Sequence, residues 1–515
     1  MSAFLQGNSI PDPTNKYPEP ELDPEPVPVI ENRLGIGSDP PCENTPMPKV
    51  LLYQPRCVFY TMPLALIAVG SGLEQLGIET IIVDGRLEDD PESILGTHLD
   101  GSLCLGISVL TGADIRDALQ IGRHIKRLRP DLPIVWGGWH PSLFPKEILA
   151  ESPEVDIVVR GQGETALREM IEAWRSGRPL DSISGIAFRE GKDIVMTPPR
   201  PMEPMDHLPV ADYSLIPIRR YFELKKKSQL DYVTSTGCRY RCRFCADPFV
   251  FKRKWVGLSA ERVVDRISVL VKDTGATDVN FQDETFFTDR RRTLEIAQGF
   301  VESDLGITWA ATMRADQGCR LTDDDWKLLK RSGLRKLLVG VEAGSKRMLE
   351  RLGKDITLEQ VDKVAHRCRD NNIAVTYPFI YGLPGEQSED LEASMNLAQR
   401  LKSLHWRNTT PFFCYKPYPG SALTQEIVAD GHTLPNTLEG WADFDYVTTT
   451  SPWVDQATER RVRRFAFFNQ LGWSRPRFYA APLQAMARWR CRHSFFAFPL
   501  EKALIEAFSP PEPLA

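Results

Sequence analysis

Short apolar segments alternate with amphipathic helical segments over most of this chain, and this alternation restricts the folds open to it. Between residues 48 and about 175, helical patterns such as 64–76 and 115–128 separate five near-continuous apolar runs. The five runs are 50–53, 80–83, 103–108, 134–136 and 156–159. Strands that are apolar on both faces and separated by helices predict an α/β domain with a parallel, doubly wound sheet.

Small and polar residues follow the predicted strands of this segment. In doubly wound sheets, ligands bind in the crevice at the carboxyl ends of the strands. The candidate binding residues there are Arg56, Ser108, Thr111, Gly137, Gly138, His140, Gly161, Gly163 and Glu164. The small side chains leave room for a large flat ligand, although a generic flavodoxin-like or Rossmann-like sheet with ordinary glycine turns would carry a similar pattern.

A second alternating segment spans residues 230 to about 415 and repeats strand and helix six times. The predicted strands lie near 232–236, 277–283, 307–313, 336–342, 374–380 and 408–414. Six such units predict an open, partial (β/α)6 barrel, with chemistry at the C-terminal ends of the strands. Residues 178–225 lie between the two segments and predict a connector that contains a hairpin at 185–196.

Three cysteines, Cys238, Cys242 and Cys245, form a Cys-x3-Cys-x2-Cys motif directly after a strand-like run. Three thiolates on one tight loop suit three irons of a 4Fe–4S cluster, and the fourth iron stays open, much as a catalytic zinc keeps an open position. A zinc loop and three unrelated thiols are the alternatives, but no second Cys-x2-Cys pair follows. We therefore predict a cluster here. The cysteines predicted not to be ligands are Cys42, Cys57, Cys104, Cys319, Cys368, Cys414 and Cys491.

Polar residues follow five of the six strands predicted for the second segment. They are Gln282, Asp283 and Glu284 after the second strand, Arg314 after the third, Glu342 after the fourth, 381–386 after the fifth and 416–420 after the sixth. One polar strand end is usually a helix cap or a solvated turn. Five of them around a cysteine loop indicate a single site.

Length and composition exclude several classes of protein. At 515 residues the chain can form two or three domains. The net charge of −6 argues against a nucleic-acid-binding surface over the whole protein, and ten cysteines in this length do not make a disulfide scaffold. The sequence shows neither a signal peptide nor an apolar run of membrane-spanning length. We expect a cytoplasmic protein, where a reducing environment suits free thiols.

The two ends of the chain differ in composition from the rest. Residues 1–46 are rich in Pro and Glu and predict a disordered or extended tail. Residues 440–515 interleave arginines with aromatic residues. This C-terminal segment is interpreted first as a helical cap on the open barrel, second as a basic amphipathic surface for lipid headgroups or a lipophilic substrate, and third as a nucleic-acid stacking surface. The acidic total of the chain disfavours the third interpretation.

The cysteine loop, with Phe244 before its third cysteine, resembles the cluster loop of the radical S-adenosylmethionine superfamily. The preceding domain, residues 48–175, with Gly-Gly-x-His-Pro and Gly-x-Gly-Glu at its strand ends, resembles the cobalamin-binding module of cobalamin-dependent members. The resemblance to these enzymes as a whole covers residues from about 48 to 450, with the radical S-adenosylmethionine barrel at 230–415. The resemblance implies that the nine strand-end residues bind cobalamin. The Asp-x-His-x-x-Gly motif of many cobalamin proteins is absent, so we expect cobalamin without a protein ligand on cobalt and His140 at the edge of the corrin.

The same resemblance implies roles for residues around S-adenosylmethionine. The acceptors for its ammonium group are Gln282, Asp283 and Glu284, where the family carries Gly-Gly-Glu. Glu342 suits the ribose diol, and Arg314 suits the carboxylate. Phe244 and the turn that contains Gly382 and Pro384 suit the adenine.

These features predict an enzyme that methylates an unactivated carbon of a bulky, hydrophobic small molecule. The reacting carbon is expected between the strand ends of the two domains. The alternative within the family is a radical cyclase or rearrangement enzyme of the anaerobic porphyrin ester cyclase type, without methyl transfer. A non-catalytic iron–sulfur carrier is disfavoured, because a carrier would use four thiolates and has no need of a barrel. The expected partners are an external flavodoxin or ferredoxin and, through the C-terminal segment, a membrane surface; no nucleic acid is expected.

Overall fold

The computed structural model of this protein describes residues 47–56, 61–444, 454–499 and 501–502. These residues divide into two compact units. The N-terminal unit contains the described residues up to 226 together with 433–444, and the C-terminal unit contains Lys227–His432 together with the described residues from 454 onward. The tail predicted to be disordered, residues 1–46, lies outside the described residues.

The N-terminal unit is built on a seven-stranded sheet in the order β2-β1-β3-β4-β5-β6-β7. Its strands are β1 (Lys49–Gln54), β2 (Glu79–Asp84), β3 (Ser102–Ser108), β4 (Ile134–Gly137), β5 (Ile157–Val159), β6 (Ile186–Glu190) and β7 (Asp193–Met196). The first five strands pair in parallel. The hairpin predicted in the connector is formed by β6 and β7, and it continues the sheet by pairing antiparallel with β5.

Both faces of this sheet are covered. Along β1, Val50 and Leu52 belong to one buried apolar cluster, whereas Leu51 and Tyr53 belong to another. The helices are α1 (Leu64–Gly70), α2 (Pro91–Thr97), α3 (Ala113–Leu128), α4 (Trp139–Leu143), α5 (Pro145–Glu151), α6 (Glu164–Ser176), α7 (Ile218–Leu224) and, from the later part of the chain, α17 (Leu438–Ala442). The mixed α/β fold predicted from the apolar strands is confirmed.

Helix α17 differs from the sequence-based division of the chain. Residues from 440 onward were expected to belong to a C-terminal cap, but Leu438 and Trp441 are buried in the same apolar cluster as α3 and α5. The N–H of Leu438 also donates to the Glu151 carboxylate (2.8 Å). Two large apolar side chains on one short helix explain why this stretch packs on the N-terminal unit.

The C-terminal unit contains a five-stranded parallel sheet in the order β14-β13-β12-β11-β8. The strands of this unit are β8 (Gln229–Tyr232), β9 (Ser235–Gly237), β10 (Trp255–Gly257), β11 (Asp278–Phe281), β12 (Thr308–Met313), β13 (Leu334–Val339), β14 (Ala374–Thr376), β15 (Phe379–Tyr381) and β16 (Phe412–Cys414). Strands β15 and β16 form a separate parallel pair, and single bridges join Glu342 to Phe379 and Thr376 to Thr409. Closure of these strands as a partial (β/α)6 barrel stays a prediction.

Helices separate the strands of this unit along the chain, and further helices follow the last strand. They are α8 (Asp247–Val250), α9 (Ala260–Thr274), α10 (Arg290–Glu302), α11 (Ala315–Cys319), α12 (Asp323–Arg331), α13 (Lys346–Arg351), α14 (Leu358–Asp370), α15 (Ser388–Ser403), α16 (Ala422–Ala429), α18 (Gln456–Gly472) and α19 (Ala481–Arg492). Capping boxes begin α12 at Thr322 and α14 at Thr357, which satisfies backbone N–H groups of the first turn. Because the five strands of the sheet run parallel, their carboxyl ends lie at one edge of the sheet.

The C-terminal helices pack on the end of this unit. Phe465 and Phe468 on α18 are fully buried, Phe465 meets the ring of Phe412 on β16 edge-on (5.6 Å), and the Asn469 amide donates to the Thr410 hydroxyl (2.9 Å). Part of the aromatic set seen in the sequence thus packs the unit. Among the described residues, no helix is both long enough and apolar enough to cross a lipid bilayer.

Candidate functional site

The cysteine motif occupies the loop between β9 and α8, and this loop is anchored to the chain that follows α13. Arg241 forms an ion pair with Asp355 (2.8 Å). The backbone N–H of Arg243 donates to the carbonyl oxygen of Leu352 (2.8 Å). The two contacts hold the loop backbone on both sides of Cys242.

The three cysteines of the motif line one cavity. Its lining residues are Cys238, Tyr240, Cys242, Phe244, Cys245, Asp247, Pro248, Glu284, Thr285, Arg314 and Lys354. The three cysteines are free thiols. Burial raises the pKa of Cys238 to about 12 and that of Cys245 well above its ordinary value. The thiols of Cys238 and Cys245 are therefore protonated until a metal displaces the protons.

The other described cysteines lie away from this cavity. They are Cys104, Cys319, Cys368, Cys414 and Cys491, and each is a free thiol. Burial raises the pKa of Cys104 and of Cys491 to about 12, as expected for inert structural thiols. Cys42 and Cys57 lie outside the described residues.

Two buried cations stand beside the motif. The Arg314 guanidinium Nη1 lies 3.6 Å from the Cys242 sulfur, and the guanidinium stacks 3.6 Å from the centroid of the Tyr240 ring. Burial opposes the charge of Lys354, but the charges of Glu342 and Cys242 raise its pKa above the ordinary value. Both groups stay cationic, so they offset the negative charge that thiolates would bring. Lys354 was not foreseen, since its context in the sequence carries no motif.

The three acceptors predicted after β11 separate into different environments. Asp283 is buried and accepts hydrogen bonds from the backbone and hydroxyl of Thr234 and from the Ser235 hydroxyl. The Gln282 amide donates to Asp231 (2.9 Å) and leaves its own oxygen buried without a partner among the described residues. Only Glu284 lines the cavity, where its carboxylate accepts from the Gly237 N–H (3.1 Å).

Glu342, predicted to bind a ribose diol, forms a buried ion pair with Lys354 (2.8 Å). Its backbone has a φ of +70°, a conformation that costs free energy for a residue with a Cβ. A Cβ on Gly340 would lie 2.4 Å from the Glu342 carboxylate and 2.7 Å from the Lys354 ammonium. A side chain at position 340 would therefore force the carboxylate or the ammonium group of the pair to move. Glu342 does not line the cavity itself but reaches it through Lys354.

The residues predicted to contact adenine also divide. Phe244 lines the cavity, and the Lys354 ammonium lies 5.6 Å from the centroid of its ring. Gly382 and Pro384 are not among the lining residues. They belong to the turn after β15, where the Gly382 N–H donates to the Glu386 carboxylate (2.6 Å) and the Pro384 carbonyl accepts from Arg351 (2.6 Å). Their role with adenine stays a prediction.

In the N-terminal unit, the loop after β3 and the turn after β4 approach each other closely. Gly138 has a φ of +104°, and a Cβ there would lie 2.9 Å from the carbonyl oxygen of Val109 and 3.4 Å from the Ser108 hydroxyl. Glycine at 138 is thus required by the backbone. The Thr111 hydroxyl lies 3.1 Å from Nδ1 of His140, so the two strand ends are also joined by side chains.

His140 is completely buried. Its ring packs against Phe144 (5.0 Å) and Trp441 (6.1 Å), and burial lowers its pKa to about 3. Its Nε2 has no hydrogen-bond partner among the described residues. A cobalt ligand needs an accessible nitrogen, and this imidazole exposes none. Any effect of His140 on a ligand of this unit would pass through Thr111.

The remaining predicted residues of this unit lie at strand ends or helix starts. Arg56 follows β1 and forms an ion pair with Asp117 (3.3 Å). Glu164 begins α6, and burial raises its pKa. A Cβ on Gly161 would meet nothing within 4 Å, one on Gly137 would only touch Val159 at 4.0 Å, and one on Gly163 would crowd Val69 at 3.1 Å. Open space therefore remains beside Gly137 and Gly161.

Two family models match the chain in the order in which these units occur. The B12 binding domain matches residues 57–171, and the radical SAM superfamily matches residues 232–398. This chain is a radical SAM enzyme with a B12-binding domain. Its cofactors are a 4Fe–4S cluster, S-adenosylmethionine and cobalamin, as the cysteine motif and the resemblance predicted.

Several known proteins are similar to this chain over more than half of its length. An uncharacterized methyltransferase of Pyrococcus horikoshii is 28% identical over 390 residues, which cover 74% of this chain and 82% of that protein. The anaerobic magnesium-protoporphyrin IX monomethyl ester cyclase of Rubrivivax gelatinosus is 28% identical over 312 residues, 59% of this chain and 54% of the cyclase. The structure of the radical S-adenosylmethionine methyltransferase TsrM from Kitasatospora setae, with cobalamin and a [4Fe-4S] cluster bound, shares the fold with a TM-score of 0.64 at 20% identity, over 75% of each chain.

The residues present fit these groups. Three free thiols on one cavity can ligate three irons of a cluster and leave the fourth iron open, and two buried cations and the carboxylates of Asp247 and Glu284 line the same cavity. No group of three or more His, Cys, Asp or Glu in the described part of the chain converges on one metal ion, whereas a cubane cluster takes one thiolate per iron. Beside Gly137 and Gly161, the open strand ends suit a flat macrocycle.

Proposed function

We propose that this enzyme methylates an unactivated carbon of a bulky, hydrophobic small molecule, using S-adenosylmethionine and cobalamin. The observation that carries the proposal is the cavity in which Cys238, Cys242 and Cys245 meet Glu284, Arg314 and Lys354, in a chain with a B12-binding domain. The similarity to the methyltransferase of Pyrococcus horikoshii supports methyl transfer. A flavodoxin or ferredoxin in the cytoplasm would supply electrons.

Each group of this cavity has a task in the proposed reaction. The three cysteine thiolates would hold the cluster, and Glu284 would accept hydrogen bonds from the ammonium of S-adenosylmethionine. Arg314 would pair with its carboxylate and, with Lys354, stabilise the thiolates. Phe244 would pack against the adenine. When bound, these cofactors would supply radical chemistry for hydrogen-atom abstraction and a methyl group for transfer to carbon.

The cluster is tested by metal analysis. We expect anaerobic reconstitution to give about four irons per chain and Cys242→Ala to abolish release of 5′-deoxyadenosine after reduction. Cys368→Ala, at a buried cysteine far from the motif in sequence, is the matched control and should keep both properties. A variant with all three motif cysteines replaced by alanine that retained its full iron content would contradict the assignment.

Methyl transfer is tested by isotope. With S-adenosylmethionine labelled by deuterium in its methyl group, mass spectrometry of products should show the label in a methylated compound. The second candidate function is a radical cyclisation without methyl transfer, which the similarity to the cyclase of Rubrivivax gelatinosus favours. Release of 5′-deoxyadenosine together with an unlabelled, oxidised product would select that function instead.

Cobalamin binding is tested by its optical spectrum. We expect a base-off spectrum for the bound cofactor that His140→Ala leaves unchanged, because the imidazole is buried and its nearest polar partner is Thr111. A large spectral change in this variant would make His140 a cobalt ligand.

A further inference from the structure

Aromatic side chains cover an exposed surface at the C-terminal end of the chain. Phe478 is 91% exposed, Phe498 79% and Tyr479 62%. We call the following set the aromatic surface: Phe478, Tyr479, Met486, Trp489, Phe495 and Phe498. Large apolar side chains normally reach such exposure singly, whereas here seven exposed ones, these six and Leu483, fall within twenty-one consecutive residues.

On helix α19, exposed apolar side chains lie on the side opposite the buried positions. Its buried positions include Gln484, Ala487 and Cys491, so this face packs on the C-terminal unit. Met486 and Trp489 are three residues apart on the opposite side and are each 46% exposed. An amphipathic helix of a soluble domain usually turns its most apolar stripe toward the core. In α19 large apolar side chains point to solvent.

Positive charge accompanies the aromatic surface. Between Arg460 and residue 500 the chain contains nine arginines and neither Asp nor Glu, although its net charge is −6. Several of the nine are neutralised, as Arg490 is by Glu501 (2.9 Å). Arg475, Arg477 and Arg492 are exposed and form no ion pair with any residue that the structure describes. The chain therefore carries three exposed positive charges close in sequence to the exposed rings.

We propose that the aromatic surface docks this enzyme peripherally on an anionic lipid bilayer. Trp and Tyr prefer the headgroup region, because their rings are apolar and their N–H and O–H groups stay hydrated. Arg475, Arg477 and Arg492 would meet lipid phosphates. Apolar anchoring and charge together supply the two contributions that stable peripheral binding needs. A nucleic acid would stack its bases on aromatic rings, but the exposed Met486 in the middle of the set offers no ring for stacking.

The experiment measures binding of the full chain to vesicles. We expect cosedimentation with phosphatidylcholine vesicles that contain about one third phosphatidylglycerol, weaker binding to pure phosphatidylcholine, and a decline with added salt. The double variant Phe478→Ser, Trp489→Ser should lower binding by about tenfold or more. Replacing Arg475, Arg477 and Arg492 by Gln should lower binding to the anionic vesicles only. Val269→Ser, on α9 and 48% exposed, is the matched control and should bind like the unchanged protein.

Three results would overturn the proposal. The first is equal vesicle binding by the unchanged protein and the double variant, when both melt at the same temperature. The second is no vesicle binding but self-association that the double variant abolishes, which would make the surface an interface between two copies of this chain. The third is tighter binding to a single-stranded RNA than to vesicles through the same residues. None of these measurements needs cofactor or turnover, so the proposal fails or stands independently of the proposed function.

Discussion

At the scale of single residues, two neighbouring acids after β11 have different surroundings. Asp283 is saturated by donors from Thr234 and Ser235, whereas Glu284 borders the cysteine cavity. Hydrogen bonds to a charged acceptor contribute about 1.5–3 kcal/mol each. Asp283 is therefore interpreted as a positioning residue that holds the start of the cysteine loop, and Glu284 as the acceptor for a bound cofactor.

Substitution separates the two acids. Asp283→Asn should lower the free energy of unfolding of the cofactor-free protein by about 2–3 kcal/mol, because one acceptor oxygen becomes a donor that faces donors. Glu284→Gln keeps the bond from Gly237 and should change stability little, but it should weaken S-adenosylmethionine binding to the reconstituted enzyme by about tenfold. Urea unfolding and equilibrium dialysis measure the two effects. The opposite pattern, with Glu284→Gln unstable and Asp283→Asn deficient only in binding, would exchange the two roles.

A second test concerns the Glu342–Lys354 pair. Gly340→Ala would place a methyl group within 2.7 Å of both charged groups and should lower the free energy of unfolding on the order of 3 kcal/mol, since breaking a buried pair leaves uncompensated charge. Gly96→Ala is the matched control, because its Cβ would meet only a leucine methyl at 3.6 Å. Urea unfolding of both variants is the measurement. Equal stability of Gly340→Ala and the unchanged protein would show that the pair does not contribute to the fold.

At the scale of elements, the first turn of α3 sets two effects against each other. The helix dipole favours a negative charge at Asp114, and the Leu110 N–H also faces it. Burial nevertheless raises the pKa of Asp114 from 3.8 to about 7. Desolvation therefore outweighs the dipole at this position, and the folded protein prefers the protonated acid.

This shift predicts how stability depends on pH. A folded-state pKa above the unfolded one contributes stability that is fully present below pH 3.8 and is lost as the pH rises through about 7. Relative to Asp114→Asn, which does not titrate, the unchanged protein should thus lose stability between about pH 4 and 7 and remain level above that range. Urea unfolding at a series of pH values measures the difference. Parallel profiles for the two proteins would mean that Asp114 is charged in the fold.

At the scale of the whole molecule, the C-terminal helices bury apolar side chains on one side and expose others to solvent on the other side. The buried side carries Phe465 and Phe468, and burying an aromatic side chain contributes about 1.5–3 kcal/mol. A chain that ends at residue 453 should therefore melt at a lower temperature and lose turnover of a hydrophobic substrate. Leu483→Ser, at a position of α19 that is 38% exposed, should melt like the full chain. A shortened protein that stays folded, binds both cofactors and works at the full rate would show that the segment is neither a cap nor a wall of the substrate site.

Much of this organisation was readable from the sequence because it depends on local patterns. The apolar runs predicted the parallel strands from β1 to β5, since a strand buried on both faces leaves an uninterrupted hydrophobic signature. The count of three cysteines at their spacing predicted a cluster with an open iron, because ligand number is a property of the chain. Arg314, Phe244 and Glu284 were predicted as site residues for the same reason, and all three line the cavity: each lies one to three positions after a strand or inside the motif.

Contacts between distant segments were decided only by the tertiary structure. Lys354 becomes part of the cysteine cavity because a turn after α13 returns to the loop, and the charged groups of Glu342 and Lys354 meet beside Gly340. Asp283 accepts hydrogen bonds from Thr234 and Ser235 and does not line the cavity, so its predicted contact with an ammonium group stays a prediction. The rings of Phe144 and Trp441 pack against His140 and help to bury it, and Trp441 lies some three hundred residues further along the chain. Sequence patterns report what each segment can form, whereas pairing, saturation and burial depend on which segments come together in space.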